Sequence, residues 1–217
     1  MKTNRIEAFS DGVFAIAITL LTLNLRAPAD TAHLAAGLAA LWPSYLAYVI
    51  SFLLIGLIWA NHHAMFEHIA TGDRTLLFIN TLLLMDVATL PFVTSVLASA
   101  LRSGHGQRTA VIVYGATLAV GGVFFNSVWE WARHHHRLLG PSISPAAAGA
   151  TARRFAAGPV LYLAGTGLGA ARPSIGLAVF AGLILIYWLP VTNRARPRGH
   201  PPAPSTPTCG ASPARHG

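Results

Sequence analysis

Apolar residues run in long blocks along this chain, separated by short clusters of Arg, Gly, Pro and Asp, without the strict alternation of half-buried strands. Blocks of this length, with few charges inside them, read as membrane-crossing helices, since about 20 residues at about 1.5 Å each cross about 30 Å of hydrocarbon. The pattern predicts six spans: Ile6 to Leu25, Pro43 to Ala64, Leu76 to Leu97, Ala110 to Trp131, Phe155 to Ala171 and Ile175 to Val191. The last two are short, and the fifth carries Gly158, Gly165, Gly167 and Gly169, which suits close helix contact and lowers its hydropathy. Five spans is the alternative count. The predicted fold class is all-α, a polytopic membrane protein.

The first block carries Arg5, Glu7, Ser10 and Asp11 at its start. Ionisable groups at the mouth of a membrane helix are costly and point to function. On a 3.6-residue wheel Phe9, Ile16, Leu20 and Leu23 share a narrow sector, with Ser10 and Asp11 well away from it. In a bilayer such an aliphatic stripe faces lipid, packs on another helix, or walls a pore narrowed by hydrophobic side chains, and periodicity alone leaves all three open. Asp11 also suits a helix start, where the macrodipole favours an acid and Arg5 is near in sequence. Ser10 and Asp11 interrupt what would be the apolar core of a cleavable signal peptide, so this helix is expected to stay in the mature protein.

Composition agrees with the blocks: 53% of residues are hydrophobic, 10% are charged and mean hydropathy is +0.53. A water-soluble domain of 217 residues needs more charge on its surface. Lys2, Arg5, Arg74, Arg133, Arg137, Arg153, Arg154, Arg194, Arg196, Arg198 and Arg215 fall on one side of the six-span topology and Arg26, Arg102, Arg108 and Arg172 on the other, eleven against four. By the positive-inside rule both termini are cytoplasmic, so the net charge of +8 reports topology and no nucleic-acid partner is expected. All five Trp residues, at positions 42, 59, 129, 131 and 188, sit near predicted span ends, as an aromatic belt would place them. Residues 1–192 form the expected transmembrane domain, and 193–217, rich in Pro, Gly and Arg, a disordered cytoplasmic tail.

The single cysteine, Cys209, lies in that tail, which removes a disulfide framework or Cys-based metal site within one chain, and no cofactor is expected. His62 and His63 close the second span and His68 follows it; hydrogen bonding, with Asp11 or Arg5 as partners, outweighs metal binding or pH sensing. His134, His135 and His136 beside Arg133 and Arg137 read as a solvated basic loop. Asp86 is a carboxyl in mid-membrane, to be protonated, paired or facing water, with a buried hydrogen bond favoured over a proton relay. Trp59 and Asn80 suit packing and interhelical hydrogen bonding. No Ser-His-Asp order, metal-binding HExxH or phosphate loop is present, so an enzyme is not expected.

Arg5, then Phe9-Ser10-Asp11 after three intervening positions, followed by Gly12 through Leu21, resembles the signature opening of the transmembrane protein 175 family, prokaryotic single-repeat members in particular. The likeness continues at Trp59-Ala60-Asn61-His62-His63 with Phe66, and at Asn80 and Leu90-Pro91-Phe92, so it covers about the first hundred residues. The resemblance implies a potassium-permeable channel of the bacterial inner membrane, six helices per chain, assembled as a homotetramer with potassium ions and the lipid bilayer as its partners. It further implies that Ile16, Leu20 and Leu23 form the pore constriction and that Thr19 flanks it as a hydroxyl linked to potassium preference. Arg5, Phe9, Ser10, Asp11, Trp59, His62 and His63 are then the network positioning the first helix. The Thr-Val-Gly-Tyr-Gly filter of tetrameric potassium channels is absent from the sequence. The rival reading is a proton-coupled small-solute transporter working through Asp86 and His62.

Overall fold

The structure, a computed structural model, describes residues 3–140 and 143–188; the tail and residues 189–191 of the sixth predicted span lie outside them. Those residues form seven helices: α1 (Thr3–Leu20), α2 (Leu34–Ala40), α3 (Trp42–Phe66), α4 (Arg74–Ser103), α5 (Gln107–His134), α6 (Pro145–Ala171) and α7 (Pro173–Trp188). A tight 3₁₀ turn, Leu21–Asn24, extends α1. No strand occurs among the described residues beyond one isolated bridge, Ile69 to Leu139. All-α is therefore the fold class. By length and apolarity four helical segments can cross a membrane, namely Thr3–Asn24, Trp42–Phe66, Arg74–Ser103 and Gln107–His134, with Pro173–Ile186 apolar but shorter.

Each predicted span has a helix, with two differences of extent. The fifth was expected from Phe155, yet α6 begins ten residues earlier at Pro145. Ser144 caps it, accepting a hydrogen bond from the Ala147 N–H at 3.3 Å, and Pro145 occupies a first-turn position where its missing N–H costs nothing. Arg153 and Arg154 hid that first part from a hydropathy reading. The third span was expected to end at Leu97, yet α4 continues to Ser103, and Gly104 and Gly106, with φ of 74° and 70°, turn the chain into α5. The helix runs on through Pro91. The short α2 had no counterpart in the reading of the sequence, because seven residues of Ala, Leu and Gly carry too little periodicity to register.

α1 lies against α3 and α4; α5 packs along α4 and α6, and α7 returns to α6, α3 and α5. Close approach among the last three rests on glycine: a methyl group at Gly176 would come within 2.6 Å of the Gly169 backbone. At the end of the bundle where α4 starts and α5 finishes, Asp73 caps α4 by accepting from the Leu76 N–H at 2.8 Å, takes the Trp131 indole N–H at 3.1 Å, and faces Arg137 at 3.7 Å. Beside it the two loops are zipped together by Ala70 N–H to Leu138 C=O, 2.8 Å, and Gly140 N–H to His68 C=O, 2.9 Å.

Candidate functional site

α1 presents two distinct faces. Ile6, Ser10, Phe14, Ala17 and Leu21 are buried against the rest of the chain at the three- and four-residue spacing of one helical side. The aliphatic stripe lies on another: Phe9 is 60% exposed, Ile16 60%, Leu20 42% and Leu23 71%. Among the described residues most of the stripe is left uncovered, open to lipid or to another copy. Between stripe and polar start runs a line of small exposed residues, Ala8, Gly12, Ala15 and Thr19. The Thr19 hydroxyl donates to the Ile16 C=O at 2.8 Å, which turns its hydrogen inward to the backbone and leaves its oxygen lone pairs outward.

The buried face is pinned by a closed hydrogen-bond string. His62 Nε2 lies 2.9 Å from Asn80 Oδ1, Asn80 Nδ2 donates to Ser10 Oγ at 3.1 Å, and Ser10 Oγ donates to the Ile6 C=O at 2.8 Å. Since Asn80 Oδ1 only accepts, Nε2 carries the hydrogen, and the string runs in one direction from His62 through Asn80 and Ser10 to the Ile6 C=O. All three side chains are buried, and the His62 ring is fitted between Phe14 and Phe66, centroids 5.4 and 4.5 Å away. One polar residue from each of α1, α3 and α4 thus fixes the rotation of α1 about its axis.

Asp11 is held separately, accepting the Trp59 indole N–H at 2.9 Å, while Trp59 stacks on His63 at 6.1 Å and His63 faces Glu67 at 3.8 Å. The structure therefore corrects the expected pairing of the histidines with Asp11 or Arg5. His62 turns inward to Asn80, because α4 brings an amide to the place where α1 brings only a small hydroxyl. Arg5 and Phe9 are exposed, and no ion pair among the described residues involves Arg5. Of the seven residues expected in the network, Ser10 and His62 meet through Asn80, Asp11, Trp59 and His63 form a second group, and Arg5 and Phe9 join neither.

A further polar cluster escaped the reading of the sequence. Ser51 Oγ lies 2.9 Å from Tyr114 Oη and 2.8 Å from Thr94 Oγ1, which is 2.7 Å from the Leu90 C=O, so one hydroxyl string joins α3, α4 and α5. Isolated hydroxyls on three different helices leave no spacing to detect. The Asn24 amide likewise donates to the Pro91 C=O at 3.1 Å, tying the end of the α1 extension to α4. Outside the spans, burial opposes ionisation of Asp73, but the Leu76 N–H, the Trp131 indole and the Arg137 charge outweigh it and hold its carboxyl below the usual range. His134 and His135 are not merely solvated: their Nδ1 atoms reach the Glu130 and Trp131 carbonyls at 2.8 and 3.0 Å, closing the end of α5. Asp86 lines a cavity among α3, α4, α5 and α6, whereas His62 belongs to the string with Asn80 and does not line it. The two residues that a transporter would couple are not brought into one site.

Residues 5–91, which begin at Arg5 and run through α1, α3 and α4 as far as Pro91, match the family described as "Endosomal/lysosomal potassium channel TMEM175". The chain is 42% identical over 199 residues to a potassium channel of Streptomyces collinus, an alignment spanning 89% of this chain and 96% of that relative. Among solved structures it is similar to a lysosomal potassium-selective channel TMEM175 homolog from Chamaesiphon minutus, at a TM-score of 0.75 and 38% identity, over 85% of this chain and 95% of the other. It is also 34% identical over 154 residues to the endosomal/lysosomal proton channel TMEM175 of Mus musculus, which covers 66% of this chain and 31% of the mouse protein. The matched stretch contains both polar groups that orient α1, and with a relative this similar aligned over nearly its whole length, this multi-pass membrane protein belongs to the TMEM175 family.

Proposed function

We propose that the chain forms a potassium-permeable cation channel of the bacterial plasma membrane, with six membrane-crossing helices, both termini in the cytoplasm, and four copies arranged with α1 around a central axis. The observation that carries this reading is the aliphatic stripe of α1, exposed in the single chain, with another face of the helix held by the buried Ser10–Asn80–His62 string. Relatives named as potassium channels share the fold around that helix. Four copies of Ile16, with Leu20 and Leu23 a turn and two turns further on, would form rings that an ion passes while poorly hydrated. A change of radius or polarity there switches a wet passage to a dewetted one. Small residues beside the stripe let neighbouring α1 helices approach closely. Thr19 oxygens, with their hydrogens turned away, would offer ligands to a partly dehydrated ion and favour the more easily dehydrated potassium over sodium.

The test is the reversal potential of the purified protein in a planar bilayer under opposed potassium and sodium gradients, with Ile16→Asn alongside. A potassium-leaning reversal, and a higher resting conductance in the variant, are expected. Identical currents from both proteins would remove Ile16 from the pore. A pH gradient in the same chamber reads any proton current, and saturable pH-dependent solute uptake without unitary currents would establish the transporter instead.

A further inference from the structure

Asp86 lies outside the α1 machinery. It stands in mid-helix on α4, half-buried, and lines a cavity of about 90 Å³ whose walls come from α3, α4, α5 and α6, with none from α1. Its carboxyl is laid against Gly121 of α5 so closely that a methyl group there would collide with it. No ion pair among the described residues involves Asp86, and the other lining side chains are mostly aliphatic or aromatic. Two amides, Asn126 and Asn61, share the wall. Asn126 Nδ2 already donates to the Gly122 C=O at 2.7 Å and the Phe155 C=O at 3.0 Å, so its remaining capacity is its Oδ1 acceptor. Asn61 Nδ2 donates one of its two hydrogens to the Leu57 C=O at 2.9 Å, which leaves its Oδ1 acceptor and a second N–H.

A largely apolar pocket between membrane helices whose acidic group is the Asp86 carboxyl, with no cation against it among the described residues and amide oxygens from Asn61 and Asn126 and the Tyr162 hydroxyl in the same wall, is complementary to a donor-bearing cation with an apolar body. We propose that this cavity is a binding site for a small alkylammonium ion, its N–H groups on Asp86 and the amide oxygens and its hydrocarbon against the walls. The volume is several times the ~10–15 Å³ that a single water requires by the same measure, and suits an ammonium carrying a few carbons. The site is distinct from the α1 stripe and needs no ion conduction.

Isobutylamine, protonated at neutral pH like a lysine side chain, is the probe, and isobutanol its uncharged counterpart of similar size. Thermal melting of the purified full-length protein in lipid nanodiscs, titrated with each, reads binding to the folded state directly. A saturable rise in Tm with isobutylamine and none with isobutanol is expected. Asp86→Asn should weaken the apparent affinity about tenfold or more, the order of one lost charge-assisted hydrogen bond. Gly158→Leu provides a second variant that leaves the carboxyl intact: Gly158 lines the cavity, and a methyl group there meets nothing within 4 Å, so a larger side chain is accommodated and fills the guest's space. It should abolish the Tm rise, while Ile16→Asn should leave it unchanged. Equal Tm rises with amine and alcohol, or a rise that persists in both Asp86→Asn and Gly158→Leu, would overturn the assignment. Because the readout is melting, absence of potassium current would count against the channel reading alone.

Discussion

At the scale of single residues, the determining feature is where hydrogen-bond donors end. His62, Asn80 and Ser10 each donate to an acceptor inside the protein, so removing the middle member leaves the buried His62 Nε2–H without its acceptor and Ser10 Oγ without the N–H it accepts, while Ser10 keeps its bond to the Ile6 C=O. Asn80→Leu is expected to lower stability by about 1–3 kcal/mol, the desolvation cost of unsatisfied buried groups, measured as a drop in the melting temperature of the purified protein. The more exposed bond between Trp59 and Asp11 makes a different prediction. Trp59→Phe and Asp11→Ala should each disturb gating or assembly, and the double variant should be no worse than the worse single one, since both delete one interaction. Additive effects on open probability would separate the two residues. The reading of the sequence marked Ser10, Asp11, Trp59 and His62 as polar residues in apolar helices, because membrane cost alone singles them out. It misassigned the partner of His62, because partners on different helices are set by how those helices are rotated.

At the scale of elements, boundaries follow capping chemistry more closely than hydropathy. Ser144 starts α6 well before its apolar part, and Gly104 stops α4 after its apolar part has ended. Asp73 does more than cap, for it ties the start of α4 to Trp131 and Arg137 near the end of α5. Its carboxyl is held below the usual range when folded, so its contribution to stability is present in full above the unfolded aspartate value near ~4 and is lost as pH falls through the lower folded value. Melting profiles against pH should therefore show the wild type losing stability over Asp73→Asn only in acid, below about pH 4, with a constant advantage above it. An advantage that disappears toward neutral pH would contradict this account. Glycine-lined contacts among α5, α6 and α7 were legible as a Gly-rich fifth span. That the contact is Gly169 on Gly176 required both helices to be in place.

At the scale of the whole molecule, one chain leaves its stripe on α1 uncovered, and a single α1 cannot enclose a passage. The channel reading therefore makes a stoichiometric prediction. Mass measurement of the purified protein in nanodiscs should give four copies, and Leu23→Arg, which places charge on the most exposed position of the stripe, should reduce that number or abolish conduction. A monomer with full conductance would refute the arrangement. Asp86 and its cavity lie in another part of the same bundle, between helices that do not include α1. That no residue of α1 lines the cavity is what makes a guest at Asp86 separable from ion passage.

The membrane class, the helical content, the order of the main helices and the aliphatic stripe of α1 are legible in the sequence, since apolar block length and a 3.6-residue period are local properties of the chain. The sequence also carried the family resemblance, through short strings on α1, α3 and α4 that lie within the matched residues 5–91. Only the tertiary structure decided that the stripe faces away from its own chain, that His62 meets Asn80, that Ser51, Thr94 and Tyr114 share one string, and that Asp86 opens on a cavity. Each of these depends on the rotation of one helix against another. Side-chain packing across the bundle sets that rotation, and no periodicity within a single helix encodes it.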